Sequence, residues 1–238
     1  MIWKRPEHRA VAAVLDALDP NLLTESAFSF GGGTRIVLEF GEYRRSRDLD
    51  FLGSDGAGYS RLRSIARRAG AIALFSKDAA LPGVLSEVRA DQYGIRFAVR
   101  GDASADDVKV EFVHEGRIEL QAPVRPPWSP VPCLSIEDCF AEKLLANSDR
   151  WADRHVCARD LIDLSILRAR SAAIPPDLWR RVEKAYGQSV RDDLRKALDQ
   201  FRDQEGFDKM CVTRLDVSDL PALTRGLDLL RHDLELTA

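Results

Sequence analysis

No apolar run in the 238-residue chain approaches the roughly 20 residues that a membrane-spanning helix requires. The opening "MIWKRPEHRAVAAVLDAL" turns polar too early for a secretory leader. Cysteine is scarce. Cys133, Cys139, Cys157 and Cys211 show no paired CxxC spacing, which argues against a disulfide framework and leaves zinc without its usual signature. An excess of positive charge is also missing. A net charge of −3 excludes a broadly basic nucleic-acid binder but not a local basic pocket. No Gly-Lys-Ser/Thr follows the glycines, so there is no P-loop, and GxGxxG is absent too. These absences suggest a soluble protein of a reducing cytoplasm.

What is present divides the chain by character. "PEHRAVAAVLDALDP" has helical spacing and is bounded by Pro6 and Pro20. "AFSF" reads as a short strand, "TRIVLEF" as a short helix, "DLDFLG" as a strand and "YSRLRSIARRAG" as a helix closed by Gly70. "AIALFSK", "LSEVRAD", "GIRFAVR", "VKVEFVHE" and "RIEL" are strand candidates, the last four as a meander of hairpins. Five prolines between Pro123 and Pro132 predict a linker or wrapping strap. Beyond it, "SIEDCFAEKLLANSDRW", "CARDLIDLSIL", "PDLWRRVEKAY", "VRDDLRKALDQF" and "LPALTRGLDLLRHDLEL" predict helices, the first with Ser135 as its N-cap. The expected organisation is α+β. An α/β core over 1–125 with a small mixed sheet and flanking helices precedes a helical bundle over 133–238.

The chemistry concentrates in "GGGTRIVLEFGEYRRSRDLDFLG". On a strand, Asp48 and Asp50 share one face while Leu49 and Phe51 share the other. Two carboxylates ~5 Å apart at an effective dielectric of ~20 repel by roughly 3 kcal/mol, so a partner must offset them. Two readings stay open on pattern alone: a solvated strand end, or a ligand pair for a hard divalent ion. Gly32, Gly33 and Thr34 lead into a helix whose exposed amides suit a phosphate, or they make only a tight turn. In "VKVEFV", Glu111 lies opposite the Val108, Val110 and Phe112 face, either as a third acid or on a wet edge. Lys143 falls on the inward stripe of its helix, where its stem covers apolar surface or its head serves a site. Asp160 and Asp163 share one helix face, either orienting Lys143 or a base, or pairing with Arg159 or Arg154.

This ordered set resembles the DNA polymerase beta-like nucleotidyltransferase superfamily, and more narrowly its AbiEii/AbiGii-type abortive-infection toxins. The shared features are Gly-Gly-Thr followed by Asp-x-Asp, and the Arg-x-Ser-x-Asp-x-Asp run of Arg44, Ser46, Asp48 and Asp50. An Ala-x-Lys helix (Ala141, Lys143) and an Arg-Asp-x-x-Asp-Leu helix (Arg159 to Leu164) complete the pattern. The resemblance implies transfer of a nucleoside monophosphate from an NTP to an acceptor hydroxyl, with RNA, especially tRNA, as acceptor and an antitoxin as partner. It implies Asp48, Asp50 and Glu111 as ligands of two Mg²⁺ ions, and Lys143 and Asp160 as catalytic residues. Nucleotide contacts would come from Gly32, Gly33, Thr34, Arg44, Ser46, Lys143 and Asp163, with Arg45 and Arg47 beside them. The chain departs from the pattern at Glu111, where the superfamily more often has Asp. An antibiotic-type small-molecule acceptor, or an inactive nucleotide-binding interaction module, is the alternative.

Overall fold

A computed structural model describes residues 3–81, 83–100 and 107–236. The chain forms α1 (Pro6–Ala17), α2 (Pro20–Glu25), β1 (Ser29–Gly31), α3 (Gly32–Glu39), β2 (Leu49–Gly53) and α4 (Gly56–Ala69). Then follow a 3-10 turn (Ala71–Leu74), β3 (Val84–Leu85), β4 (Arg89–Ala90), β5 (Ile95–Arg100) and β6 (Val108–His114). The remainder is α5 (Ile136–Arg150), a second 3-10 turn (Arg154–Val156), α6 (Arg159–Arg170), α7 (Pro176–Tyr186), α8 (Ser189–Asp203), α9 (Phe207–Leu215) and α10 (Leu220–Leu236). The fold is α+β, as the sequence leads one to expect.

Two units emerge from the contact pattern. The first comprises Met1–Leu38 and Ser46–Ser135, the second Glu39–Arg45 and Ile136–Ala238. In the first, the strand order is β1-β2-β6-β5-β3, with β4 also on β5. The sheet is mixed because β2 and β6 run parallel while the other pairs are antiparallel. Period-2 alternation sorts its faces. Leu49 and Phe51 pair in register with Val110 and Phe112, and all four are buried. The Phe51 and Phe112 rings stack at 4.8 Å, with Phe28 and Phe30 against them. This aromatic layer leaves Asp50 and Glu111 on the opposite face. The proline-rich segment is a strap: Phe30 donates to the Pro132 carbonyl and Leu134 donates to that of Phe30, which ties 132–134 beside β1.

The second unit is helical. Its α6 and α10 approach so closely that a Cβ on Gly226 would sit 1.9 Å from the Ser165 carbonyl oxygen, so only glycine permits this crossing. Residues 43–45 are fastened to this unit by backbone bonds from Arg45 to Leu215 and from Ser218 to Tyr43.

Several local expectations fail for identifiable reasons. "AIALFSK" is a 3-10 turn rather than a strand. Gly70, at φ +76°, turns the chain so that Leu74 accepts from Asp19 and Ser76 donates to Ala17, leaving only the Leu18–Phe75 bridge. "RIEL" is not a strand because Arg117 folds back onto Glu115, whose carboxylate also takes the Arg117 amide. "LSEVRAD" splits into β3 and β4, both on β5. Pro20 begins a helix as well as ending one, since Asp19 caps α2 through the Asn21 and Leu22 amides. α9, entered from left-handed Gly206, was also unexpected.

Candidate active site

In the first unit the chain leaves β1 at Gly31, the register partner of Asp50, and enters α3 at once. Gly32 has φ +66°, and a Cβ there would lie 2.1 Å from Oδ2 of Asp50. Glycine is therefore needed twice over, for the left-handed backbone and for the close approach of bare main chain to the carboxylate. Thr34 is buried, and its Oγ1 lies 2.7 Å from Oγ of Ser46, which joins the start of α3 to the segment leading into β2. The Ser46 amide donates to Nε2 of buried His8, a contact that sequence reasoning missed.

Asp48 and Asp50 are half-buried, two residues apart at the start of β2. Two carboxylates beside a helix N-terminus are a donor set that fits a hard cation also ligated by phosphate oxygens. Glu111 is the register partner of Asp50 on β6, so the two lie side by side on one face. Its Oε1, however, accepts a 2.6 Å hydrogen bond from Nε of Arg96 on β5. Among the described residues no three His, Cys, Asp or Glu side chains come together as a metal cage.

In the second unit, α5, α6 and residues 43–45 build a buried charge network. Lys143 is only 5% exposed, and its Nζ lies 2.9 Å from Asp160 and 2.7 Å from Asp163. Asp163, fully buried, also accepts from Nε (2.7 Å) and Nη2 (2.8 Å) of Arg44 and from the Tyr43 hydroxyl (2.6 Å). Asp160 accepts from Arg150 as well, at 2.6 and 3.0 Å. Three cations thus surround two carboxylates, and the ammonium keeps one of its three donors for another acceptor. Burial alone would raise both carboxyls. The neighbouring Lys143 and Arg150 outweigh it at Asp160, and Arg44 and Lys143 outweigh it at Asp163, so both are held below the usual range. Burial and the Asp163 charge raise the Tyr43 hydroxyl well above its ordinary value.

Arg44 is accordingly an internal anchor with 1% exposure, although the sequence suggested a phosphate contact. Arg45 and Arg47 are exposed. The partners of the aspartates are Arg150 and Arg44, not Arg159 or Arg154. Arg150 was findable, since it lies two turns beyond Lys143 on the same helix face. Tyr43 carried no local signal.

The first unit is thus a mixed sheet with Asp48 just before its second strand and Asp50 on it, beside a glycine-led helix. Solved structures of similar fold include JHP933 from Helicobacter pylori, at 17% identity and TM-score 0.53 over 97% of this chain and 88% of that one. A candidate nucleotidyltransferase from H. pylori aligns at 17% identity and TM-score 0.50 over 98% and 96% of the two chains. The sequence matches, over residues 13–222, the family described as "Nucleotidyl transferase AbiEii toxin, Type IV TA system". The chain belongs to this family and is a nucleotidyltransferase of the toxin–antitoxin class. No curated protein matches the sequence. Among the described residues no helix is long and apolar enough to cross a membrane.

Proposed function

We propose that the protein transfers a nucleoside monophosphate from an NTP to a hydroxyl of cytoplasmic RNA, with the tRNA 3′ end as the acceptor and an antitoxin restraining the activity. What supports the reading most is the pressing of bare Gly32 backbone against Asp50 at the start of α3. It joins an anion-favouring helix terminus to a carboxylate pair, the two halves of a metal–triphosphate site. Mg²⁺ suits these oxygen donors, and when bound it supplies charge neutralisation of the triphosphate.

The chain's own residues take the remaining roles. Asp48 and Asp50 would hold the ion, and the amides of Gly33 and Thr34 donate to the phosphate oxygens, with Ser46 fixing Thr34. Within the helical unit, Asp160 and Asp163 position the Lys143 ammonium, and Arg150, Arg44 and Tyr43 hold them in turn. The acceptor oxygen attacks the α-phosphorus and gives its proton to Glu111 through the oxygen not bound by Arg96. The α–β phosphoanhydride bond breaks, and pyrophosphate departs with the bonding electrons.

Incubation with each labelled NTP, Mg²⁺ and total RNA, followed by sequencing of RNA 3′ ends, tests this. One NTP is expected to label RNA, and Asp50→Ala to abolish labelling. Label confined to small metabolites would redirect the reading to a small-molecule acceptor. Labelling that survives Asp50→Ala would sink it.

A further inference from the structure

Across the sheet, Asp50, Glu111 and Arg96 are successive register partners on β2, β6 and β5, so they form one row on one face. Strands stand ~4.8 Å apart, which puts the two carboxylates side by side with a guanidinium on the far side of the second. Glu111 has two ways to relieve repulsion from Asp50: a shared cation, or Arg96. In this structure it takes Arg96, at 2.6 Å. The guanidinium is seated from its other side as well. It lies over Gly94, where a Cβ would come within 3.0 Å of Nη2, and 3.8 Å from the Asp91 carboxylate. Asp91 is fixed in turn by the Tyr93 and Gly94 amides. Arg96 is thus built into the β4–β5 turn.

We infer that Arg96 is a positioning residue that keeps Glu111 out of the metal shell, so that the site takes one divalent ion on Asp48 and Asp50 rather than two. The inference rests on the proposed metal–NTP reading and replaces its expectation of three acidic ligands. A guanidinium donates to a carboxylate oxygen in place of an ion, and the other oxygen stays available for the acceptor's proton. A second ion binds only by displacing a cation that Glu111 already has.

The test is titration of the full-length protein with Mn²⁺ without nucleotide, counting free ion by electron paramagnetic resonance, with folding checked by circular dichroism. The wild type is expected to bind one Mn²⁺ per chain. Glu111→Gln should keep that affinity within about threefold. Arg96→Gln should admit a second ion, or tighten the first about fivefold, the factor a half-exposed pair of this kind carries. Arg96→Gln with Glu111→Gln should lose that gain. Wild-type binding left unchanged by Arg96→Gln, or weakened tenfold or more by Glu111→Gln, would overturn the inference while leaving the metal reading intact. No Mn²⁺ binding by either wild type or Arg96→Gln would overturn both.

Discussion

Replacing Asp163 with Asn tests whether the buried network of the helical unit is held by charge. The carboxylate has no solvent exposure, and it serves Arg44 through two bonds, Lys143 at 2.7 Å and the Tyr43 hydroxyl. The amide keeps one acceptor oxygen but turns an NH₂ group toward cations. Lys143 retains Asp160, whereas Arg44 is left with the Arg45 carbonyl. Removing one partner of a buried pair costs about 3–5 kcal/mol, because the other charge stays buried. The retained oxygen and the surviving Asp160 contact favour the lower end, about 3 kcal/mol. At roughly 2–4 °C per kcal/mol for a chain of this size, the melting temperature should fall by about 6–12 °C. Thermal unfolding followed by circular dichroism at neutral pH and moderate salt measures it. Adding Arg44→Met to Asp163→Asn should recover part of the loss, since the stranded cation is then gone. A fall of under about 2 °C, the range of an ordinary surface change, would refute the reasoning. So would a double variant whose losses simply add.

Two further outcomes follow from the geometry. Gly32→Ala should destabilise by about 1–2 kcal/mol from its left-handed backbone and should also abolish transfer, because the new Cβ displaces Asp50. Gly41→Ala, also left-handed at φ +81° but in open space, should show the backbone cost while keeping activity; equal activity in the two variants would remove the case for the Gly32 contact. The lowered Asp160 and Asp163 carboxyls give stability that is present above the unfolded value of about 3.9 and lost as pH falls further. The raised Tyr43 hydroxyl gives stability that is lost as pH climbs past about 10, where the unfolded tyrosine ionises first. The network's own contribution to melting temperature should therefore be constant between these limits, with Tyr43→Phe shrinking the alkaline fall and Asp163→Asn the acid one.

The parts of the site legible in the sequence are those written in local periodicity. Alternation along β2 and β6 put Asp50 and Glu111 on polar faces, and the 3.6-residue period put Lys143 on an inward stripe. Which polar faces become neighbours is a matter of strand order. Nothing local announces that β2 lies parallel to β6, or that Arg96 falls opposite Glu111, because one residue of slip would have turned Arg96 to the other side. The arginine run shows the same limit from another direction. Arg44, Arg45 and Arg47 look alike on paper, and exposed arginines are the rule. Yet Arg44 is buried because segment 43–45 is fastened to the helical unit, where Asp163 awaits it more than a hundred residues along the chain. A buried guanidinium needs a buried carboxylate at the right place, and that pairing belongs to tertiary structure. The glycines divide likewise: all three could serve a turn, but only Gly32 is both left-handed and pressed against a carboxylate. Sequence patterns thus identify which residues are polar and inward. The choice between metal ligand, proton acceptor and structural anchor is made by the neighbour that packing supplies.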